Sequence, residues 1–295
     1  MTRDKPLLGI LLMLAFCMLA PLGDAIAKLL GETIPLLQLL LVRFAVQMLL
    51  LPFVGGRARG MSARIWRLTI WRTLLHIAGI GFMFVSLRYL PLADAVAIAF
   101  VMPFILLLLG KYVLAEVVGP RRLGACIVGF AGTLLVIQPS FVNVGWPALL
   151  PLIVAVVFAL FMLVTRQVAQ EVDALALQAI SGTLATAMLL VTLALGTAAD
   201  LPFAGLVWPT APEATLLLGI GLLGTFAHLL MTWSLRYAPA ATLAPMQYLE
   251  IPMATLVGWV VFSDLPNGLA ALGILITVAA GLYIIARERA VAKSA

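Results

Sequence analysis

Ser86-Leu87-Arg88-Tyr89-Leu90-Pro91 and Ser234-Leu235-Arg236-Tyr237-Ala238-Pro239 are two copies of one stretch. The first copy runs on through Pro103 to Ala115-Glu116, the second through Pro252 to Ser263-Asp264. Thirty residues separate the serine from the acid in both. Between them lies an apolar run long enough to cross a bilayer, which takes about 20 residues. A repeat whose period is near half the chain predicts a duplication, with a binding site where the halves meet.

Composition agrees with a membrane reading. Hydrophobic residues make up 64% of the chain and charged residues 10%, against about 25% charged in an ordinary soluble domain. Apolar runs recur along the whole length, so a soluble protein on a single anchor is excluded. Only helices and closed barrels satisfy their backbone in lipid. A barrel strand alternates polar and apolar residues, whereas these runs are apolar on every face, so helices are expected. The N-terminal run, with Arg3 and Lys5 before it and Ala25-Ile26-Ala27 within it, imitates a signal peptide. Its length, and a matching span in the second half, make it the first membrane helix. Cys17 and Cys126 lie inside apolar runs without metal-type spacing and read as buried free thiols.

The apolar pattern places ten spans at about 6–29, 35–54, 67–88, 92–113, 121–138, 148–166, 174–195, 213–235, 240–262 and 267–286. A basic loop (57–67), a central linker (139–147) and a longer loop with Pro202, Pro209 and Pro212 connect them. The third to fifth spans align with the eighth to tenth at an offset of 148, which becomes 149 after one insertion. Pro103 then meets Pro252, Gly124 meets Gly273 and Gly132 meets Gly281. Lys28 and Arg166 pair at the ends of the first and sixth spans. Two five-helix repeats follow, 1–140 and 141–295.

Five is odd, so the second repeat must enter the membrane from the opposite side. With the N-terminus inside, fourteen of the 18 basic residues fall on the cytoplasmic side: Arg3, Lys5, Arg57, Arg59, Arg64, Arg67, Lys111, Arg121, Arg122, Arg166, Arg236, Arg287, Arg289 and Lys293. Lys28 and Arg88 fall outside, and Arg43 and Arg72 within spans. This positive-inside asymmetry puts both termini in the cytoplasm. It also explains the net charge of +6 without a nucleic-acid partner. An all-α integral membrane protein of ten helices in two inverted repeats, multi-pass in the cytoplasmic (inner) membrane, is the expected fold.

These residues also resemble a family. Tyr89-Leu90-Pro91-Leu92-Ala93-Asp94-Ala95 with Pro103 and Leu114-Ala115-Glu116, and Tyr237-Ala238-Pro239-Ala240-Ala241 with Pro252 and Phe262-Ser263-Asp264, are similar to the EamA-type transporters of the drug/metabolite transporter superfamily. The resemblance covers nearly the whole chain. It implies a carrier of small metabolites with a central cavity between inverted halves. Two positions depart from the pattern: Asp264 stands where glutamate is usual, and Leu22-Gly23-Asp24 replaces a Trp-Gly pair.

Ionisable residues inside spans are costly and mark function by default. Glu250 falls near the midplane and shares a helical face with Gln247, Ala254 and Gly258. It is a candidate to bind a cationic group or carry a coupling proton; the plain alternative is a structural bond across a helix interface. Asp24 and Arg43 lie at similar depth and are expected to pair or share a polar cavity, with Lys28 one turn from Asp24 as a second partner. His76 and His228 are candidates for a proton relay or for simple bonds to a carbonyl. Trp233, Tyr248, Phe82 and Phe100 are candidates to stack on a planar ligand or to pack. Pro103 and Pro252 interrupt two spans at matching positions, which points to the binding site. Glu116 and Asp264 close those spans and are expected to cap the following helix or form gate contacts.

No phosphate loop, metal-ligand cluster or nucleophile motif is present. An enzyme and an ATP-driven pump are therefore excluded, and no cofactor is expected. The reading is a secondary carrier for a small amphipathic metabolite such as an amino acid or vitamin, with proton coupling resting on Glu250 and Asp24. Its partners are the solute and membrane lipid, as a monomer or homodimer. A lipid or lipid-linked flippase and a non-transporting membrane scaffold are the competing classes.

Overall fold

The computed structural model describes residues 5–54, 61–116, 118–199, 201 and 204–294. Arg3, Arg57, Arg59 and Pro202 lie outside them. Every regular element among the described residues is helical.

The first half holds α1 (Pro6–Leu30), α2 (Leu36–Val54), α3 (Ala63–Ser86), α4 (Leu92–Ala99), α5 (Met102–Val113) and α6 (Pro120–Val144). The second holds α7 (Leu150–Ala169), α8 (Ala174–Ala198), α9 (Ala211–Tyr237), α10 (Ala240–Leu243), α11 (Glu250–Phe262) and α12 (Gly268–Ser294). Seven helical segments among the described residues are long and apolar enough to cross a membrane, counting α4 and α5 as one; Leu36–Leu51 and Gly268–Tyr283 are shorter apolar helices.

Local chemistry sets the ends. Asp173 caps α8 by accepting from the amides of Leu175 and Ala176. Thr210 and Glu213 form a capping box that starts α9. The span expected at 121–138 runs on to Val144, absorbing most of the expected linker. Phe141, Val142 and Val144 continue its apolar character, and it stops only at Gly145, whose φ of +71° a side chain would resist. A 3₁₀ turn (Trp146–Leu149) then leads into α7.

Two expected spans are broken. The segment expected at 92–113 divides at Phe100–Val101 into α4 and α5. Pro103 has no N–H to give to the Ala99 carbonyl, and the backbone tightens to i→i−3 bonds at Phe100 and Val101. The segment expected at 240–262 becomes α10, a six-residue 3₁₀ stretch (Ala244–Leu249) and α11. Pro252 sits in the first turn of α11.

The closest packing is between halves. α1 packs on α9, α3 on α7, α2 on α8 and α6 on α12. Exchanging the halves maps this set of pairs onto itself: α1 with α9 becomes α7 with α3, and the other two pairs map to themselves. Nearly all the buried apolar side chains, from Met13 in α1 to Ile274 in α12, form one continuous cluster. Cys17 and Cys126 are free and buried within it. α6 and α12 meet backbone to backbone. A Cβ on Gly132 would come 2.7 Å from the Gly273 carbonyl oxygen and 2.5 Å from Thr277 Oγ1. Gly132→Val should therefore destabilise the protein by about 1–3 kcal/mol through overpacking. It would be read as a lower melting temperature in detergent, and an unchanged one would show that α6 and α12 do not meet this closely.

Candidate functional site

A cavity lies where both broken helices face α1, α2, α3, α7 and α9. It encloses about 780 Å³ of space free of protein atoms, part of it open to the outside. Its walls are mostly apolar and include four aromatic rings: Phe16, Phe84, Phe100 and Phe158. Phe100 is placed there by the break between α4 and α5. Glu250, the first residue of α11, is placed there by the matching break. The other polar groups on the wall are Asp24 from α1, Arg43 from α2 and His228 from α9.

Of the two expected arrangements, Asp24 and Arg43 take the second: they share the cavity and form no ion pair within 4.0 Å. Lys28 is not Asp24's partner either. Arg43 Nη2 instead lies 3.1 Å from His228 Nδ1. Gly224 makes room for it, since a Cβ there would meet the guanidinium carbon at 2.7 Å.

Five other expected residues stand away from the cavity wall. Tyr248 is fully buried against Gly129 and donates to the Cys126 carbonyl at 3.5 Å. Gln247 is buried with its Nε2 toward the Met162 sulfur. Trp233 is half-buried off the cavity and Phe82 faces outward. His76 is fully buried behind His228, ring centroids 4.3 Å apart, and stacks on Phe161 at 4.5 Å. The two histidines are not repeat equivalents, yet packing brings them together.

Behind His76 lies Arg72, which sequence reasoning placed in a span without a role. It is fully buried and has no carboxylate partner among the described residues. Its guanidinium donates to Thr165 Oγ1 (2.9 Å), Ser181 Oγ (2.7 Å), Gln178 Oε1 (3.3 Å) and Thr232 Oγ1 (3.3 Å), and stands over the Phe161 ring at 4.8 Å. Thr165 and Thr232 spend their own O–H on carbonyls one turn back, leaving lone pairs for the arginine. One planar fork thus ties α3 to α7, α8 and α9.

At each end of the molecule a cation and an acid join the two halves. Lys28 Nζ, at the end of α1, reaches Asp264 Oδ2 and the Leu90 carbonyl, both at 3.2 Å. Arg166, near the end of α7, reaches Glu116 Oε1 at 3.7 Å and the Leu235 carbonyl at 2.7 Å. Each acid follows a residue in the left-handed region, Ala115 at φ +53° and Ser263 at φ +57°. Each also donates its own amide to a glycine carbonyl six residues earlier, Glu116 to Gly110 and Asp264 to Gly258. The two copies therefore close by one motif. Glu116 is a cap, but not of the helix that follows it: it accepts from the amides of Ala240 and Ala241 at the start of α10, in the other half. Asp264 is one methylene shorter, and Lys28 is its partner. Asp94 accepts from Ser140 at this same end.

A broken-helix cavity with few polar groups, held between two matched halves, is the geometry of a solute carrier. The profile of the EamA-like transporter family matches residues 7–138 and again 145–287. The chain belongs to this family. As an EamA-like transporter it is a multi-pass membrane protein that moves small metabolites, and not an enzyme. It is 30% identical over 248 residues to a riboflavin transporter of Rhizobium johnstonii, covering 81% of this chain and 76% of that one. It is 25% identical over 286 residues to an S-adenosylmethionine uptake transporter of Rickettsia prowazekii, covering 95% and 93%. A solved crystal structure at 20% identity superposes with a TM-score of 0.69 over 95% of this transporter and 97% of that chain, which shows a shared fold.

Arg72→Met should leave buried acceptors unmet in this transporter, at about 1–3 kcal/mol. Arg72→Lys should recover little, because an ammonium cannot reach four oxygens set around a planar fork. Melting temperatures in detergent check both, and wild-type values would remove Arg72 as the tie between α3 and the second half.

Proposed function

We propose that this transporter carries a small metabolite with a planar heteroaromatic ring across the cytoplasmic membrane by alternating access. The observation that carries the reading is the cavity itself: four phenylalanines and a few charged groups, assembled where both Pro-broken helices meet. Rings on several walls suit a flat ligand, while the charged groups suit its polar substituents. Riboflavin and S-adenosylmethionine, the solutes named for two relatives, both contain a planar heterocycle with polar substituents.

The arrangement behind this reading is ten spans in two inverted repeats with both termini in the cytoplasm. Supporting it are the charge asymmetry, the exchange-invariant helix pairs and the identical closing motifs at opposite ends. Alternation would then trade the Lys28–Asp264 contact at one end against the Arg166–Glu116 contact at the other. Both ion pairs join one half to the other, and separating the halves at either end must break the pair there.

A thermal-shift screen of purified protein, followed by flux of the hits in liposomes, tests the solute class. Heteroaromatic solutes should stabilise the protein and Phe100→Ala should weaken their binding roughly tenfold, as expected for losing about 1–3 kcal/mol of ring stacking. Equal stabilisation by solutes without a ring would remove this reading. Glu250 is the proposed carrier of a coupling proton. Glu250→Gln should abolish uptake driven by a pH gradient while solute exchange continues. If gradient-driven uptake persisted in that variant, coupling through Glu250 would be ruled out.

A further inference from the structure

α6 and α12 meet backbone to backbone at Gly132 and Gly273 and separate towards the start of α6. Gly124, two turns nearer that start, marks the gap, since a Cβ there would meet nothing within 4 Å. The space between the helices is a groove of about 900 Å³, part of it open to the outside. Small and apolar residues, among them Gly124, Val128, Ala279 and Ala280, line its length, and Arg121 and Tyr283 stand at its mouth.

The mouth lies where the apolar band ends. The apolar stretch of α12 closes at Tyr283, and that of α6 opens at Leu123. Tyrosine favours this depth, where hydrocarbon gives way to lipid headgroups. Arg121 is exposed and has no ion pair or hydrogen bond among the described residues. It is the second residue of α6, whose first turn holds no acid, so the positive end of the helix dipole adds to its charge. α12 runs on past Tyr283 to Ser294, and Arg287 stands one turn further along it. The groove therefore has a cationic mouth at headgroup level. Its apolar body follows α12 from Tyr283 to Ile276, about 10 Å into the hydrocarbon.

We infer that this groove is a binding site for an anionic phospholipid, with the phosphate at Arg121 and Tyr283 and an acyl chain laid along the small residues between α6 and α12. Basic pockets between membrane helices take such headgroups at the cytoplasmic side, and the proposed topology puts this end at the inner leaflet. A second copy of the chain fits the groove poorly. Two copies related by a two-fold axis along the membrane normal set each Arg121 near its own equivalent at one depth, where like charges repel. A zwitterionic lipid brings its own cation beside Arg121 and gains less. The site is separate from the solute cavity and does not depend on which solute is carried. The same two helices carry the 3₁₀ stretch on their inner side, where Tyr248 packs on Gly129 and the segment Ala244–Leu249 rests on α12. A lipid in the groove braces α6 and α12 from outside, and with them the second broken segment.

The test uses full-length protein, delipidated in detergent, with phosphatidylglycerol and phosphatidylcholine as probes. Phosphatidylglycerol should bind roughly fivefold tighter, the effect of one basic residue near a membrane surface, and should raise the melting temperature more. Arg121→Gln should bring the two lipids within about twofold of each other, Arg121→Lys should keep most of the difference, and added salt should reduce it. Gly124→Leu should fill the groove without overpacking, because a side chain there has room. It should lose the stabilisation by phosphatidylglycerol while the lipid-free melting temperature holds. Val128→Cys reports a second copy, since Val128 is 49% exposed and the native thiols are buried. Oxidation in membranes should give no cross-linked dimer. Equal affinity for the two lipids, or a preference that survives both Arg121→Gln and Gly124→Leu, would overturn the lipid site. Efficient cross-linking of Val128→Cys would overturn it too and give the groove to a second copy of the chain.

Discussion

Hydrocarbon offers no hydrogen-bond partners, so a helix can break inside a membrane only where protein or a cavity receives the freed groups. That constraint organises this molecule. Pro103 and Pro252 force two breaks. Both are drawn to the centre, where they face each other's half and not lipid. Once there, they turn Phe100 and Glu250 toward a shared space. The short helix α10 begins without a capping side chain of its own, and the Glu116 carboxylate from the other half satisfies two of its amides. The same acid that ends one broken segment thereby starts the other.

Charge placement follows from the same low dielectric. Three solutions recur among the buried and half-buried ions. Lys28 and Arg166 find acids across the interface between halves. Arg72 finds neutral oxygens, with hydroxyls whose own protons are spent on backbone carbonyls. Asp24, Glu250 and Arg43 find no ion-pair partner among the described residues, and they alone of these line the cavity. The contrast separates groups that tie helices together from groups left on the cavity wall. Intramembrane charge by itself does not make that distinction, since Arg72 and Arg43 look alike in sequence.

Much of the architecture was legible. The apolar runs placed most helix ends within a few residues, with α6 and α12 running six and eight residues past their expected ends, and the duplicated Ser-Leu-Arg-Tyr stretch precedes both broken segments. Glu250, Asp24, Arg43 and His228 were named from charge and depth, and all four line the cavity. Gln247 was named for sharing a helical face with Glu250, but it falls in the 3₁₀ stretch before α11; it, Tyr248, Trp233 and His76 are packed away from the cavity wall. Gly129 admits Tyr248 to a position that no periodicity reveals. Phe16, Phe84 and Phe158 were missed because a phenylalanine in an apolar helix looks the same whether it faces lipid, core or ligand. Lys28 was assigned to Asp24 one turn away, yet its long side chain bonds Asp264 from the far half of the chain.

The sequence by itself determined that this is a helical membrane carrier, because apolar length and repeated turn chemistry are local properties that the bilayer reads directly. It also determined where the helices break, since a proline removes one particular hydrogen bond wherever it sits. Only the tertiary structure decided which charges pair and which stay open. Pairing depends on distances of a few ångström between helices far apart in the chain, and on glycines such as Gly224 that permit one approach and not another. A partner across the interface turns Asp264 into a clasp, while Asp24 and Glu250, with no ion-pair partner within 4.0 Å among the described residues, stay on the cavity wall.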